Sequence, residues 1–262
     1  MSGYWADHSS DDLRRLAVDS IAVLPLGATE QHGPHLPLGV DTDLTDAVIR
    51  AHFPHLDESQ SILVLPTLSI TKSDEHAEFA GTLSLSAETL LAVLRDIGDS
   101  VARAGIRRLV FFSGHGGNAA VLSIAARDLR RRHRMIVASC GWSAFADWRD
   151  HVGEDDYAHD VHAGLCETSA MRAVRPDLVD MSLAADFRTR SRDWEAESNW
   201  IGLTGQPGTP AWLVQDLNPH GACGNAALAT AELGRALIES SSRNFARFLR
   251  DFARFDPAEP GS

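Results

Sequence analysis

Three groups of residues in this chain have the types and spacing that metal chemistry needs. The first is Glu30-Gln31-His32-Gly33-Pro34-His35, followed by Asp41. Glu30 and His32 stand two apart, so in an extended segment both side chains leave the same side. Asp41 follows a proline-punctuated loop that can fold back. The second group is Ser113-Gly114-His115-Gly116-Gly117-Asn118, and the third is His162-Ala163-Gly164 with Glu167. Imidazole and carboxylate without thiolate suit zinc, manganese or iron. A carboxylate such as Asp41 can bridge two ions, and two neighbouring ions ionise a shared water and polarise a carbonyl. Glu30, His32, Asp41 and His115 are the candidate ligands. His162 is the candidate proton carrier, and Glu167 is a further acid that can serve as ligand or in catalysis.

Each piece also has a plainer reading. His52, His55, His133 and His151 stand alone and read as structural. Asp41 and Asp43 precede a helix, where the dipole favours acids. The Gly114–Gly117 stretch is also a tight strand-to-helix turn, and it echoes the HGG oxyanion loop of esterases. No G-x-S-x-G elbow accompanies it, which sets serine hydrolysis aside. Metal chemistry is favoured because three such groups fall at the ends of predicted elements.

Those elements alternate. Ser20–Leu26, Ser61–Leu65, Arg107–Ser113 and Arg134–Cys140 read as strands, apolar on both faces. Helices are predicted over Asp41–Phe53, from Ser86 through Leu90, Leu94, Ile97 and Val101, over Asn118–Arg132, and over Ala163–Val174. Pro176 follows the last of these. The pattern predicts a single α/β domain over residues 1–262: three layers, α/β/α, around a mainly parallel sheet. In such a sheet ligands bind beyond the carboxyl ends of the strands, where the first two groups fall. Met181–Cys223, with Trp194, Trp200 and Trp212 among Gly, Pro and Asn, shows no period. It reads as long loops or short strands near the site or an oligomer contact. A last helix is predicted over Asn225–Phe252, with residues 1–15 and 254–262 as loose ends.

Composition narrows the partners. Lys+Arg is 24 against 36 for Asp+Glu, a formal charge of −12, which argues against nucleic acid or an anionic membrane. Lys72 is the sole lysine and follows no glycine-rich loop, so P-loop and Schiff-base chemistry are set aside. Cys140, Cys166 and Cys223 form no CxxC pair. A scattered odd count reads as reduced thiols. Met1–Asp12 lacks the apolar segment of a signal peptide, and no run approaches the roughly 20 residues of a spanning helix. A cytoplasmic protein is expected.

Leu24–Leu38 (LPLGATEQHGPHLPL) with Asp41 resembles the opening motif of the creatininase family. Glu75-His76 with Gly81–Ser84, Ser113–Asn118 (SGHGGN) and His162–Gly164 with Glu167-Thr168-Ser169 resemble further motifs of that family, in the same order. The resemblance runs from Ile21 to Leu178, and more weakly over Pro219–Gly234. It implies an α/β domain that hydrolyses C–N bonds of cyclic amides, formamides or peptides. It implies two divalent ions per chain (zinc, manganese or iron), a metal-bridging hydroxide as nucleophile, and a homo-oligomer, commonly a hexamer. By position, Glu30, His32, Asp41 and His115 match metal ligands, with Asp41 the bridge. His162 matches the histidine that protonates the leaving nitrogen, and Glu167 an acid at the site. Amides of Gly116 and Gly117, with Asn118, are placed to meet a developing oxyanion, and His76 and Trp142 to line the pocket.

The chain also departs from the family. Creatinine-hydrolysing members carry tyrosine and glutamate directly after the third motif's histidine, where this chain has Gly116 and Gly117. They carry tryptophan four residues before the catalytic histidine, where it has Ala158. Either Glu167 replaces the missing glutamate ligand or the second metal binds more weakly, and the substrate is expected to be an amide other than creatinine. The GHGGN form is similar both to members acting on formamides in flavin-type biosynthesis and to the peptidase of mycofactocin maturation. Outside hydrolysis, the alternatives are a metal-dependent lyase or isomerase and a non-catalytic metal-binding subunit.

Overall fold

A computed structural model describes residues 2–15 and 20–257. In chain order the strands are β1 (Gly3–Tyr4), β2 (Ile21–Leu26), β3 (Ile62–Val64), β4 (Arg108–Ser113), β5 (Ile136–Gly141), β6 (Asp186–Phe187) and β7 (Gly224–Asn225). The α-helices are α1 (Ser10–Arg14), α2 (Val40–His52), α3 (Ala87–Arg103), α4 (Ala119–His133), α5 (Glu154–Ala158), α6 (Leu165–Val174), α7 (Ser191–Glu197), α8 (Val214–Leu217) and α9 (Ala231–Arg254). Strands β1 to β5 form one parallel sheet in the order β1-β3-β2-β4-β5. Every residue of β2 is buried, as a strand covered on both faces requires.

Helices α2, α6 and α9 pack on one face, where Val40, Leu44, Leu237 and Phe245 meet Val23, Val110 and Phe112. Helices α3 and α4 cover the other, where Leu90, Leu94, Leu122 and Leu129 meet Leu24, Leu63 and Phe111. This is the expected three-layer domain. From β2 the chain first turns to β3 on one side and later returns to β4 on the other. The switch in direction lies between β2 and β4, and the crevice at their carboxyl ends is where such sheets bind ligands.

Several boundaries differ from the sequence reading. Residues 2–15 are not loose. Gly3–Tyr4 pairs in parallel with β3, and Ser9 and Asp12 form a capping box at α1. A two-residue edge strand is too short to leave a periodic signal. Helix α6 starts two residues late because Ala163 has φ +53, a conformation that costs an L-residue about 1–2 kcal/mol. Helix α9 starts at Ala231, where the Thr230 side chain accepts from Leu233 N at 3.1 Å. Asn225, placed in that helix by its sequence, belongs instead to β7. At the other end α9 runs to Arg254, and residues 258–262 of the tail lie outside the described residues. Among the described residues no helix is long and apolar enough to cross a membrane.

His52, at the end of α2, is fully buried. Its ring lies 4.4 Å from Phe53 and 5.5 Å from Phe245, centroid to centroid. Nδ1 donates to the Ile49 carbonyl, and Nε2 has no partner. Burial pushes the ring down to about 4, against the pull of that backbone bond. The unfolded chain therefore binds the extra proton between its own pKa near 6.5 and about 4, and stability is lost as pH falls through that window. His52→Leu should remove up to about 3 kcal/mol of acid sensitivity. Urea unfolding of both proteins at pH 7 and pH 4 checks this; parallel losses would show that His52 does not carry it.

Candidate metal centre

The centre is built where β2 and β4 end. After β2 the chain is extended through Glu30, and Glu30 N donates to Leu38 O at 3.0 Å. The loop between β3 and α3 folds back on this segment. Leu83 N donates to Thr29 O at 2.8 Å, Gln31 N to Thr82 Oγ1 at 3.1 Å, and Thr71 Oγ1 to Gly27 O at 2.6 Å. That pairing carries Glu75 and His76 to the centre. Asp41 opens α2, and Gly114 brings the β4 turn against it. A Cβ at position 114 would lie 2.5 Å from the Asp41 carbonyl oxygen and overlap the Thr45 hydroxyl. The third group arrives from a strained turn. Asp160 accepts from Leu165 N at 2.6 Å and Cys166 N at 2.8 Å, and His162 bridges to Cys223.

The ring nitrogens are sorted by backbone carbonyls. His32 Nδ1 donates to Glu30 O at 3.1 Å, and its Nε2 faces Asp41 Oδ1 at 3.4 Å, Glu167 Oε2 at 3.9 Å and Glu30 Oε1 at 4.0 Å. His115 Nε2 donates to Lys72 O at 2.8 Å, and its Nδ1 faces Glu30 Oε2 at 3.2 Å and Asp41 Oδ2 at 3.3 Å. His162 Nε2 donates to Gln31 O at 2.8 Å, and its Nδ1 lies 3.7 Å from Glu30 Oε1. In each ring the second nitrogen, an acceptor, is turned toward carboxylate oxygens, which are also acceptors. Glu30 Oε1, His32 Nε2 and Asp41 Oδ2 are buried with no hydrogen-bond partner. Such a set needs cations between its members.

Three overlapping triads have their ligand atoms within 4.8 Å of one another: Glu30-Asp41-His115, His32-Asp41-Glu167 and Glu30-His32-His162. Atoms each about 2 Å from a shared ion lie at most about 4 Å apart; His115 to Glu30 and Asp41 at 3.2 and 3.3 Å, and His32 to Asp41 and Glu167 at 3.4 and 3.9 Å, meet that limit, so the residues present fit divalent metal. Asp41 presents Oδ1 to His32 and Oδ2 to His115, one oxygen to each half of the centre.

With protons as the only cations, burial opposes charge on His32, but Asp41, Glu167 and Glu30 raise it to about 9. His115 is likewise raised, by Asp41, Glu30 and Glu75 against its burial. Burial raises Glu167 to about 7, with His32 working against the shift and Asp41 with it. Burial and then His32 and His76 push His162 well down, so its ring is neutral.

Of the other sequence candidates, His76 joins the centre. Its Nε2 lies 3.5 Å from Glu30 Oε1, and its ring packs 4.2 Å from that of His162. Gly116 faces open space. Asn118 is buried beneath the turn, its Nδ2 donating to Ser113 Oγ at 3.3 Å. It braces the backbone of His115, which bonds Ser113 Oγ through both N and O. Trp142 is not brought to the centre. It is buried in the core beneath α2 and α9, its carbonyl accepting from Ser241 Oγ at 2.8 Å. A tryptophan just past a strand carried no sign of which layer it would enter.

Sequence reasoning passed over two residues. Glu75 Oε1 lies 3.3 Å from His115 Nε2, and Glu75 Oε2 pairs with Lys72 Nζ at 2.8 Å. A Cβ on Gly117 would overlap the Glu75 carboxylate and the His115 ring. Its place beside His76 in the second motif was the available signal. Gln31, between two ligands, is the other.

The Creatininase (creatinine amidohydrolase) family model matches residues 6–249. The chain belongs to the creatininase family. It is 35% identical over 237 residues to a mycofactocin precursor peptide peptidase of Mycobacterium tuberculosis, covering 87% of this chain and 85% of that one. It is 34% identical over 199 residues to a creatinine amidohydrolase of Pseudomonas putida, covering 70% and 74%. The solved structure of a mutant creatininase of Zn-Zn type superposes with a TM-score of 0.74 at 27% identity, covering 96% of this chain and 98% of that one. This creatininase-family hydrolase thus shares its fold with solved creatininases.

Metal loading must expel the protons that otherwise fill the centre. Zinc added to chelator-treated protein in weak buffer at pH 7 should release protons, about one from His32 among them. Apparent affinity should fall as pH drops, because a rising proton concentration competes for the His32 and His115 nitrogens. His115→Ala should lose metal. Proton release by pH-stat with zinc titration at pH 6 and 8 checks this, and pH-independent affinity without release would refute it.

Proposed function

We propose that this protein is a metal-dependent amidohydrolase with two divalent ions per chain, cleaving the C–N bond of a peptide or small-molecule amide. The observation that carries the reading is the split carboxylate of Asp41, one oxygen toward His32 and the other toward His115. Glu30, Asp41 and His115 would hold one ion, and His32, Asp41 and Glu167 the other. Zinc, manganese and iron all suit these donors. Ions held there polarise a carbonyl and acidify water.

The chain's own groups supply the rest. His162 is neutral with its Nε2 proton committed to Gln31 O, so Nδ1 is the atom that takes a proton from attacking water and passes it to the departing nitrogen. Glu167 is held by Ala163 N, which donates to its Oε2 at 2.7 Å. This fixes the carboxylate beside His32 and gives it a role in both metal binding and catalysis. Amides at Gly116 and Gly117 stand at the start of the turn into α4, where N–H groups can meet an oxyanion.

A peptide substrate is favoured over creatinine. The peptidase relative matches more of the chain than the creatinine amidohydrolase does. Gly116, with open space where its side chain would be, leaves room for a substrate larger than a small ring. Trp200 is 71% exposed, and Ile201 and Leu213 further along the same segment are exposed too, which supports homo-oligomer contact through it. The three free cysteines support a reducing, cytoplasmic setting.

Metal content by mass spectrometry, on gel-filtered protein purified without chelator, should give two transition-metal ions per chain. A single ion would overturn the two-ion reading. On a panel of formamides, cyclic amides including creatinine, and short peptides, water-dependent amine release is expected from peptides and not from creatinine. His162→Ala should keep both ions and lose about 100-fold or more in turnover. Retained turnover would remove its role, and product formed without water would point to a lyase.

A further inference from the structure

Gln31 lies between two candidate ligands and is buried, yet its side chain reaches no carboxylate. Its amide is oriented by two backbone groups whose roles cannot reverse. Gly33 N donates to Oε1 at 2.9 Å, and Nε2 donates to Gly221 O at 2.9 Å. One Nε2 proton remains, and the atom it meets is His76 Nδ1 at 2.8 Å. His76 Nδ1 must therefore accept, which places the proton of that ring on Nε2, the nitrogen facing Glu30 Oε1 at 3.5 Å. The His162 Nε2 atom, 3.2 Å from the same amide nitrogen, meets a donor whose protons are both spent. It keeps its own proton and donates a hydrogen bond to the Gln31 carbonyl. Gly221 has φ +76, and a Cβ there would overlap the Gln31 side chain, so the backbone at this point is fitted to the amide.

We propose that Gln31 is a positioning residue that sets the proton placement of two imidazoles at once. Its side-chain amide directs the His76 proton to Nε2, and with its backbone carbonyl it holds the His162 proton on Nε2. The lone pair of His162 Nδ1 is left toward the centre. The effect on turnover rests on the hydrolase reading above; the proton placement does not.

The isosteric variant Gln31→Glu separates this role from simple tethering. A carboxylate still accepts from Gly33 N, so the loop bond survives, but it offers no proton to His76 Nδ1. Nitrogen-15 spectra of histidine-labelled, zinc-loaded full-length protein read both rings directly. The wild type should show Nε2-protonated, Nδ1-unprotonated rings at His76 and His162. Gln31→Glu should move the His76 proton to Nδ1, keep the zinc content, and lower kcat about 100-fold or more with a smaller change in KM. A wild-type His76 ring protonated on Nδ1 overturns the proposal, and that measurement stands if the variant does not fold. An unchanged His76 ring in Gln31→Glu also overturns it. If the rings behave as expected but no amide on the panel is cleaved, the hydrolase reading fails and the positioning role stands.

Discussion

Acceptor atoms turned toward one another in a buried interior are the constraint on which this structure depends. Glu30 Oε1, His32 Nε2 and Asp41 Oδ2 are buried and unpaired, with the acceptor nitrogens of His115 and His162 facing the same carboxylates. An arrangement of this kind is strongly unfavourable unless cations occupy it, because unpaired buried charge costs several kcal/mol per group. Protons can serve, at the cost of imidazolium rings in an apolar setting. Divalent ions serve better, because one ion satisfies several acceptors together. The backbone carbonyls of Glu30, Gln31 and Lys72 enforce the arrangement: each accepts a hydrogen bond from one imidazole N–H and so leaves the lone pair on the other nitrogen.

The fold supplies the rigidity that this demands. Glu30 and His32 follow the fully buried central strand, and His115 follows the strand hydrogen-bonded to it over six residue pairs. Asp41 sits in the first turn of a helix pressed against the turn after β4. Only the third group, around His162, comes from outside the sheet. It is held instead by the Asp160 carboxylate on two helix amides and by the bridge to Cys223. Ala163 keeps an unfavourable φ in that turn, and its N–H is the one that fixes Glu167. Strain of this sort persists where the surroundings over-determine it, as they do at functional sites.

Much of this was legible in the sequence because residue type and element ends coincide. Buried strands of a parallel sheet read as continuous apolar runs, and motifs placed directly after two of them must share one edge of the sheet. That logic reaches Glu30, His32, Asp41 and His115 without any structure. It does not reach Glu75 or Gln31, whose roles depend on how a loop of irregular backbone folds back through Thr71, Thr82 and Leu83. Nor does it place Trp142, since an indole beyond a strand end suits a pocket wall and a core equally well. The short edge strand at Gly3–Tyr4 escaped for a different reason: two residues carry no period, and their pairing is decided by the exposed edge of β3.

Gly117 shows how a local departure is absorbed. The space that a side chain there would enter is taken by the Glu75 carboxylate, which faces the His115 nitrogen opposite the centre and is neutralised by Lys72, the sole lysine of the chain. A carboxylate in this position acts on the ligand rather than as one: it strengthens the hold on the Nε2 proton and so raises the basicity of Nδ1. A second carboxylate reaches the histidines from another direction: the Glu167 oxygen lies 3.9 Å from His32 Nε2. Two carboxylates, Glu75 and Glu167, thus flank the histidines of the centre. The acceptor set around Asp41 stays complete, with open space beside it at Gly116.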